Sequence, residues 1–314
     1  MDGRTVAVIG AVNIDICGTS DSQPLLHDSN LGTANISFGG VGRNIAENLC
    51  RLGCKVEMIT ALADDLFTAQ LVSAGKAQGI GFDHSVRVPG ATCSTYISIN
   101  DNKHDMLLAI NDMKIYDHIT AEHIRNEMNF LNSCDMVVCD TNIPAHVLTF
   151  LAENCMAPLA VDPVSMAKAA KLKDIVGRFT LIKPNLYESE FLSGIHIKDD
   201  ASLIASAEFF HKLGVRCVFI SMAENGVFYS DGQKNGKVPV CTEYPLVNAS
   251  GCGDTLMAAV IWSYLEGKDV QEMAEYGVCA SCICGRSQDT VSRELSREQV
   301  ENLRNIFISE RNDL

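Results

Sequence analysis

Short apolar runs alternate with helix-periodic segments along most of this 314-residue chain, and few folds accommodate that rhythm. The runs Val6–Ala11, Val56–Ala61, Met136–Cys139, Leu159–Asp162, Thr180–Lys183, Cys217–Ser221 and Val227–Tyr229 have the length and composition of buried strands. Amphipathic stretches lie between them at Asn44–Leu52, Phe67–Gln78, Ala121–Leu131, Ala145–Glu153 and Ser202–Leu213. Such alternation predicts an α/β fold with a mostly parallel central sheet. The last third reads as helical over Asp254–Glu266, Val270–Arg286 and Arg297–Ile308.

Two regions, 15–38 and 92–110, break the rhythm. The second alternates through Tyr96, Ile97, Ser98 and Ile99, then carries Met106, Leu107, Leu108 and Ala109. Both are read as antiparallel strands of a four- or five-strand lid beside the main sheet, with a hairpin turn at Asn100-Asp101-Asn102. A lid of that kind has an apolar face to bury, and a second copy of the chain would cover it, so a homodimer through the lid is expected. No internal repeat, low-complexity tract or Pro/Gly-rich linker divides the chain, so 1–314 reads as one domain.

The formal charge of 25 − 39 = −14 argues against a nucleic-acid surface or an anionic membrane surface. An anionic nucleotide would therefore need a local site of backbone N–H groups, a few cations and a metal ion. The thirteen cysteines are scattered and read as reduced, mostly buried thiols of a cytoplasmic protein. Cys279, Cys282 and Cys284 lack a second ligand pair and read as small core residues of a helix rather than a zinc site. Val6–Val12 is short and runs into Asn13 and Asp15, unlike a signal peptide, and no run has the length of a membrane span.

Chemistry concentrates in a few motifs. Asn248-Ala249-Ser250-Gly251-Cys252-Gly253-Asp254 leads into an apolar helical stretch. Unpaired N–H groups at such a turn make an anion site at the positive end of a helix. An acid beside that site suits removal of a proton from a hydroxyl while the N–H groups hold a phosphoryl group, although Asp254 could equally be an N-cap. Phe38-Gly39-Gly40-Val41-Gly42-Arg43-Asn44 places a cation and an amide at a second glycine turn, suited to a polyol or a phosphate, or to simple capping. Asn13 and Asp15 share a face if the chain is extended there, which suits vicinal hydroxyls, and a plain strand-end turn is the alternative. Asn185 and Glu188, after Lys183-Pro184, form an oxygen-rich pair at a strand end that could support Mg²⁺ through water, cap a helix, or both. Asp162-Pro163-Val164-Ser165 with Lys168, Asn111 with Asp112, and Asn142 ring the same predicted sheet edge. There is no Walker-type G-x-x-x-x-G-K-[ST], and Ile45 stands where a dinucleotide fingerprint needs its third glycine.

Taken in order, N-x-D, GGVGRN, PN-x-x-E and NASGCGD resemble the ribokinase-type (PfkB) carbohydrate kinases across essentially the whole chain. Within that family the likeness is greatest to pseudouridine kinases, through GGVGRNIAENL, AINDM (Ala109–Met113), VDPVS with Lys168, and KPNLYESEFLSG. The resemblance implies an ATP- and Mg²⁺-dependent kinase with a Rossmann-like three-layer α/β/α fold and a small β-sheet lid that makes a dimer contact. By position, it implies Asp254 as the base and the N–H groups of Gly251, Cys252 and Gly253 as the anion hole. Asn13, Asp15, Gly40 and Asn44 would hold the sugar, with Arg43 near the ribose or the transferred phosphate. Asn185 and Glu188 would position Mg²⁺ and the phosphates, Ser221, Ala223 and Gly226 would line the nucleotide, and the helix carrying Cys279 would flank adenine.

Three departures stand out. Asn248 replaces the family's usual Asp, and an amide supplies oxygen without charge, which weakens the case for K⁺ activation. Cys252 replaces the usual Ala and puts a thiol at a helix N-terminus, where an acidic, oxidisable sulfur is expected. Ala223 stands where glycine is common. The expected reaction is phosphorylation of the 5′-hydroxyl of a C-nucleoside, with Ser98, Asn111 and Asn142 as the polar wall that reads the base. Another sugar or nucleoside kinase, or a non-catalytic sensor on the same scaffold, are the alternatives.

Overall fold

The computed structural model describes residues 3–241 and 245–312, with backbone only for 310–312. Thr242–Tyr244 and the two ends of the 1–314 span lie outside the described residues. The chain opens with β1 (Thr5–Ile9), β2 (Asn13–Ser20), β3 (Gly32–Gly39), α1 (Val41–Arg51), β4 (Lys55–Ile59), β5 (Ala61–Leu62) and α2 (Leu66–Ala77). It continues through β6 (Ile80–Gly81), β7 (Val86–Arg87), β8 (Thr95–Asn100), β9 (Met106–Asp112) and α3 (Ala121–Leu131). Next come β10 (Met136–Asp140), α4 (Ala145–Asn154), β11 (Leu159–Asp162), α5 (Met166–Ala169), β12 (Leu181–Ile182), α6 (Leu186–Ser193) and α7 (Asp200–Leu213). The last elements are β13 (Cys217–Ser221), β14 (Val227–Ser230), β15 (Asn235–Val238), α8 (Cys252–Leu265), α9 (Val270–Gly285) and α10 (Arg297–Asn312).

Among the described residues nine strands form the central sheet, in the order β15-β14-β13-β12-β11-β10-β1-β4-β6. All neighbours are parallel except β13/β14 and β14/β15, which pair antiparallel. β15 escapes the pattern reading because Asn235-Gly236-Lys237-Val238 has a single apolar residue, and its pairing with β14 supplies what hydrophobicity does not. Side-chain alternation splits the core into two layers. Val6 and Val8 face the cluster of α1, α8, α9 and α10, while Ala7 and Ile9 face that of α3, α4, α6 and α7. The result is the expected three-layer α/β/α arrangement. Among the described residues no helix is long and apolar enough to cross a membrane.

The lid is a four-stranded sheet in the order β3-β2-β8-β9. Its outer pairs are antiparallel, but the central pair β2/β8 is parallel, contrary to the all-antiparallel expectation. The reason is connectivity: β2 and β8 are far apart in sequence, so no tight turn has to join them. The β8–β9 turn forms where expected, with the Asp101 carboxylate accepting from Lys103 and Asp105 N–H at 2.8 and 3.0 Å. Registers put Asp15, Tyr96 and Asn111 in one row, and Cys17, Ser98 and Ala109 in the next row of the same face. The other face carries Ile16, Ile36, Ile97 and Ile110.

Strand order reverses between β1 and β10, since the chain builds outward from β1 through β4 and then restarts on its other side. Crevices at the carboxyl ends of strands at such a switch point are the usual ligand sites of open α/β sheets. The motif residues gather there.

Candidate active site

The two glycine turns look alike in sequence, yet the fold makes them different. At the start of α1, N-cap Gly40 has φ 102° and no side-chain cap. A Cβ at Gly40 would lie 2.4 Å from Ala11 O, so only glycine lets this turn pack on the β1–β2 loop. Three N–H groups here are taken: Gly42 donates to Asp140 Oδ2 at 2.8 Å, Arg43 to Ala11 O at 3.0 Å, and Asn44 to Gly40 O at 2.9 Å. Asp140, from β10, already supplies the negative charge this helix end attracts. With these donors taken, the α1 turn offers a ligand chiefly its side chains.

The α8 turn is open. Gly251 is its N-cap at φ 80°, and a Cβ there would sit 1.8 Å from Thr290 O. Asp254 is thus the third residue of the helix and makes no capping bond, which removes the N-cap reading. The N–H groups of Gly251, Gly253 and Asp254 have no hydrogen-bond partner among the described residues. Cys252 differs from the expectation: its N–H turns back to Ala249 O at 3.3 Å, so the free donors are its neighbours. A Cβ on Gly253 would meet Lys183 Nζ at 3.5 Å, which sets a buried ammonium beside these donors.

Asp254 is where the two turns meet. Its Oδ2 accepts from Asn44 Nδ2 at 2.8 Å, and one turn along, Asn48 Nδ2 donates to Thr255 Oγ1 at 3.1 Å. Asp254 keeps some contact with solvent but lies deep in protein. Desolvation, joined by the negative charges of Asp162 and Asp140, lifts its carboxyl to about 7, against the opposing pull of Asn44 and Lys183. A carboxyl so placed can take a proton near neutral pH.

On the acceptor side, buried Asn13 donates from Nδ2 to Asp15 Oδ1, so the two side chains share a face. Gly39 makes room for them, since a Cβ there would lie 2.1 Å from Asp15 Oδ2. Burial raises the Asp15 carboxyl to about 6, against Asn13 and the guanidinium of Arg43. Arg43 is oriented by Glu47, with further bonds to Phe38 O at 3.1 Å and Asn44 Oδ1 at 3.0 Å. Asn142 accepts from Lys168 Nζ, and its own N–H donates to Asp140 Oδ1 at 2.8 Å. Ser98 and Asn111 lie on the Asp15 face of the lid, Ser98 buried and Asn111 exposed.

Asn185 and Glu188 form a complete capping box on α6. Asn185 N–H and Nδ2 donate to the two Glu188 oxygens, each at 2.9 Å. Each oxygen retains a lone pair. Among the described residues no group of three metal-binding side chains exists, so a caged ion does not fit. The buried Glu188 carboxylate, close enough to Asp162 and Lys183 to feel their charges, does fit a Mg²⁺ ion completed by phosphates and water. The motifs place Asp162 at the sheet edge and Lys183 before Asn185 but give neither a role of its own. The two residues form a buried ion pair at 3.1 Å. Burial alone would lower the Lys183 ammonium, but Asp162, Glu188 and Asp254 together hold it above its ordinary value.

Ser221 lies beside Asn185 through an isolated parallel bridge, which joins the end of β13 to the α6 cap. Gly226 is fixed by space, since a Cβ would fall 2.0 Å from Val238 O, and Ala223 adopts φ 50°. Asn248 braces its own loop, accepting from Ser250 N–H and donating to Gln288 O, both at 2.9 Å. Two expectations fail here. Cys279 is fully buried in the core, so its side chain cannot touch a nucleotide. Cys252 is not an acidic thiol: the neighbouring Cys284 and its own burial push its pKa far up, and its Sγ lies 3.6 Å from Ser281 O and 3.7 Å from Asn248 O.

Comparison with known proteins fits this geometry. Residues 4–295 match the family model described as pfkB family carbohydrate kinase. The chain is 34% identical to pseudouridine kinase of Escherichia coli over 301 residues, covering 95% of this chain and 96% of that one. It is 27% identical to ribokinase of Bacillus subtilis, covering 96% of this chain and 99% of the other. The crystal structure of ribokinase from Thermotoga maritima superposes with a TM-score of 0.83 at 22% identity, covering 96% of this chain and 99% of that one, and this likeness speaks for the fold. The chain belongs to the PfkB family of carbohydrate kinases and is a kinase that transfers phosphate to an alcohol group.

Proposed function

We propose that this kinase phosphorylates the 5′-hydroxyl of pseudouridine, with ATP as donor and Mg²⁺ as its metal, giving pseudouridine 5′-phosphate. The observation that carries the phosphotransfer is Asp254, an acid lifted to about 7 beside three unpaired N–H groups. The 34% identity to pseudouridine kinase over nearly the full length of both chains supports the acceptor.

Asn13, Asp15 and Asn44 hold the ribose hydroxyls. Asp254 removes the proton of the 5′-hydroxyl as the oxygen attacks the γ-phosphorus. The bond from that phosphorus to the β–γ bridging oxygen breaks, and ADP leaves. Arg43 lies beside Asn44, near the same carboxylate. The N–H groups of Gly251, Gly253 and Asp254, with Lys183 behind them, hold the charge of the group in transfer. Glu188 with Asn185 would hold Mg²⁺, which when bound would offset charge on the phosphates. Ser221, Ala223 and Gly226 line the nucleotide at the neighbouring strand end.

Pseudouridine carries one more ring N–H donor than uridine. A site that accepts from it leaves that acceptor unpaired with uridine, a penalty that can reach discrimination of about 10⁴. Ser98, Asn111 and Asn142 with Lys168 are the polar groups available for this reading. The apolar face of the lid, where Ile36, Ile99, Leu108 and Ile110 are all more than 40% exposed, fits a second copy of the chain.

ATP consumption with pseudouridine, uridine, ribose and fructose offered separately tests the proposal. Preference for ribose or fructose would replace the acceptor and leave the kinase standing. Binding without turnover of any acceptor would favour a sensor, a reading that Asp254 beside the open turn opposes.

A further inference from the structure

We propose that Asp140 is the positioning residue of the acceptor site, a single carboxylate that sets three separate segments of that site relative to one another. The inference rests on the reading that Asn13, Asp15, Asn44 and Asn142 hold the acceptor.

Asp140 ends β10 at the switch point and is buried. Its Oδ2 accepts from Ala11 N–H and Gly42 N–H, both at 2.8 Å, and its Oδ1 accepts from Asn142 N–H at 2.8 Å. These donors belong to the β1–β2 loop, the first turn of α1 and the loop after β10. Each leads at once to a proposed acceptor group: Ala11 to Asn13 and Asp15, Gly42 to Arg43 and Asn44, and Asn142 to its own amide. Burying a carboxylate is costly, and three N–H bonds offset that cost only while all three segments stay in place. A shift of one segment therefore weakens the hold on the others.

Steric detail agrees. A Cβ at Gly10 would lie 2.4 Å from Asp140 Oδ2 and 3.1 Å from the Gly42 Cα, so Gly10 is glycine because the carboxylate and the α1 turn press against it. Gly42 is equally confined, with a Cβ there falling 2.9 Å from the Gly10 Cα. α1 has no side-chain cap of its own, and Asp140 provides that function from 98 residues away. The nucleotide-side groups Asn185, Glu188 and Ser221 receive no bond from Asp140. Its loss is thus expected to fall on one substrate.

The test is steady-state kinetics of Asp140→Asn and Gly10→Ala, varying acceptor and ATP separately. Asparagine keeps the shape but turns an NH₂ toward N–H donors, and alanine at 10 pushes on the carboxylate while leaving it charged. Each variant is expected to lose kcat/KM for the acceptor by about 10²-fold, the scale of a 1 Å misplacement. KM for ATP should stay within about twofold, because only one of the two substrate sites is disturbed. Asp135→Asn is the control: Asp135 accepts from Thr5 N–H at 2.8 Å at the opposite end of β1, so it weakens the same strand away from the site. Equal losses for acceptor and ATP, an unchanged acceptor constant, or failure of both variants to fold would each overturn the proposal. A wild type that phosphorylates no acceptor would sink the functional reading instead.

Discussion

Asn44 Nδ2 donates to Asp254 Oδ2 at 2.8 Å, joining the two glycine turns across 210 residues of sequence. The bond holds the carboxylate of the open α8 turn above the first turn of α1. It also stabilises the charged form of an acid whose surroundings otherwise favour protonation.

Asp254→Asn is expected to keep the fold and ATP binding while lowering kcat by roughly 10²–10⁴, the usual worth of a positioned general base. Single-turnover measurements with saturating ATP check this. Near-normal turnover would reduce Asp254 to a structural residue.

The pH dependence follows from the sign of the shift. Asp254 must be ionised to take a proton, and its carboxyl sits at about 7, so kcat/KM should rise as pH increases through 7 and level off above it. The Asn44 bond lowers this pKa, so Asn44→Ala should move the rising limb to higher pH. Stability runs the other way. A folded pKa above the ordinary 3.8 contributes stability that is fully present below 3.8 and lost as pH rises through about 7. Asp254→Asn should therefore flatten the decline of stability between those values, as read by denaturant titration at each pH.

The thiol pair beneath the α8 turn inverts the expectation for Cys252. Cys252 and Cys284 influence one another, so that the Cys252 thiol is raised and that of Cys284 is lowered to about 7. Alkylation at Cys284, followed by mass spectrometry, should increase through pH 7, slowly because the residue is buried. Cys252→Ala removes that neighbour and should shift the profile toward the ordinary thiol range. If Cys252 itself labels first at neutral pH, the pairing is wrong.

Ala223 adopts φ 50° in the nucleotide segment, a left-handed conformation that costs a residue with a Cβ about 1–2 kcal/mol. Ala223→Gly relieves that strain, offset by about 0.4–1 kcal/mol from the greater freedom of glycine in the unfolded chain. A net gain of about 0–1.6 kcal/mol in urea titrations is expected, and a loss would place the cost elsewhere.

Local features were legible before any coordinates. β1, β10, β11 and β13 follow from short β-branched runs, α3 and α4 from apolar spacing, and the β8–β9 turn from Asn100-Asp101-Asn102. These depend on residues a few positions apart, where side-chain period and turn chemistry act. β15 and the parallel β2/β8 pair were not legible, because their pairing partners lie outside any local window.

The site divides in the same way. Its inventory of glycines, amides and acids stands in the motifs, since each motif is a contiguous turn whose backbone demands those residues. Which glycine turn accepts an anion is not written in either one. Asp140 closes the α1 turn from a distant strand, while the α8 turn stays open with Lys183 beside Gly253. The raised pKa of Asp254, the Lys183–Asp162 pair, the burial of Cys279 and the mutual influence of Cys252 and Cys284 are likewise products of packing. Desolvation and long-range hydrogen bonding depend on what surrounds a group in space, and linear spacing carries no record of it.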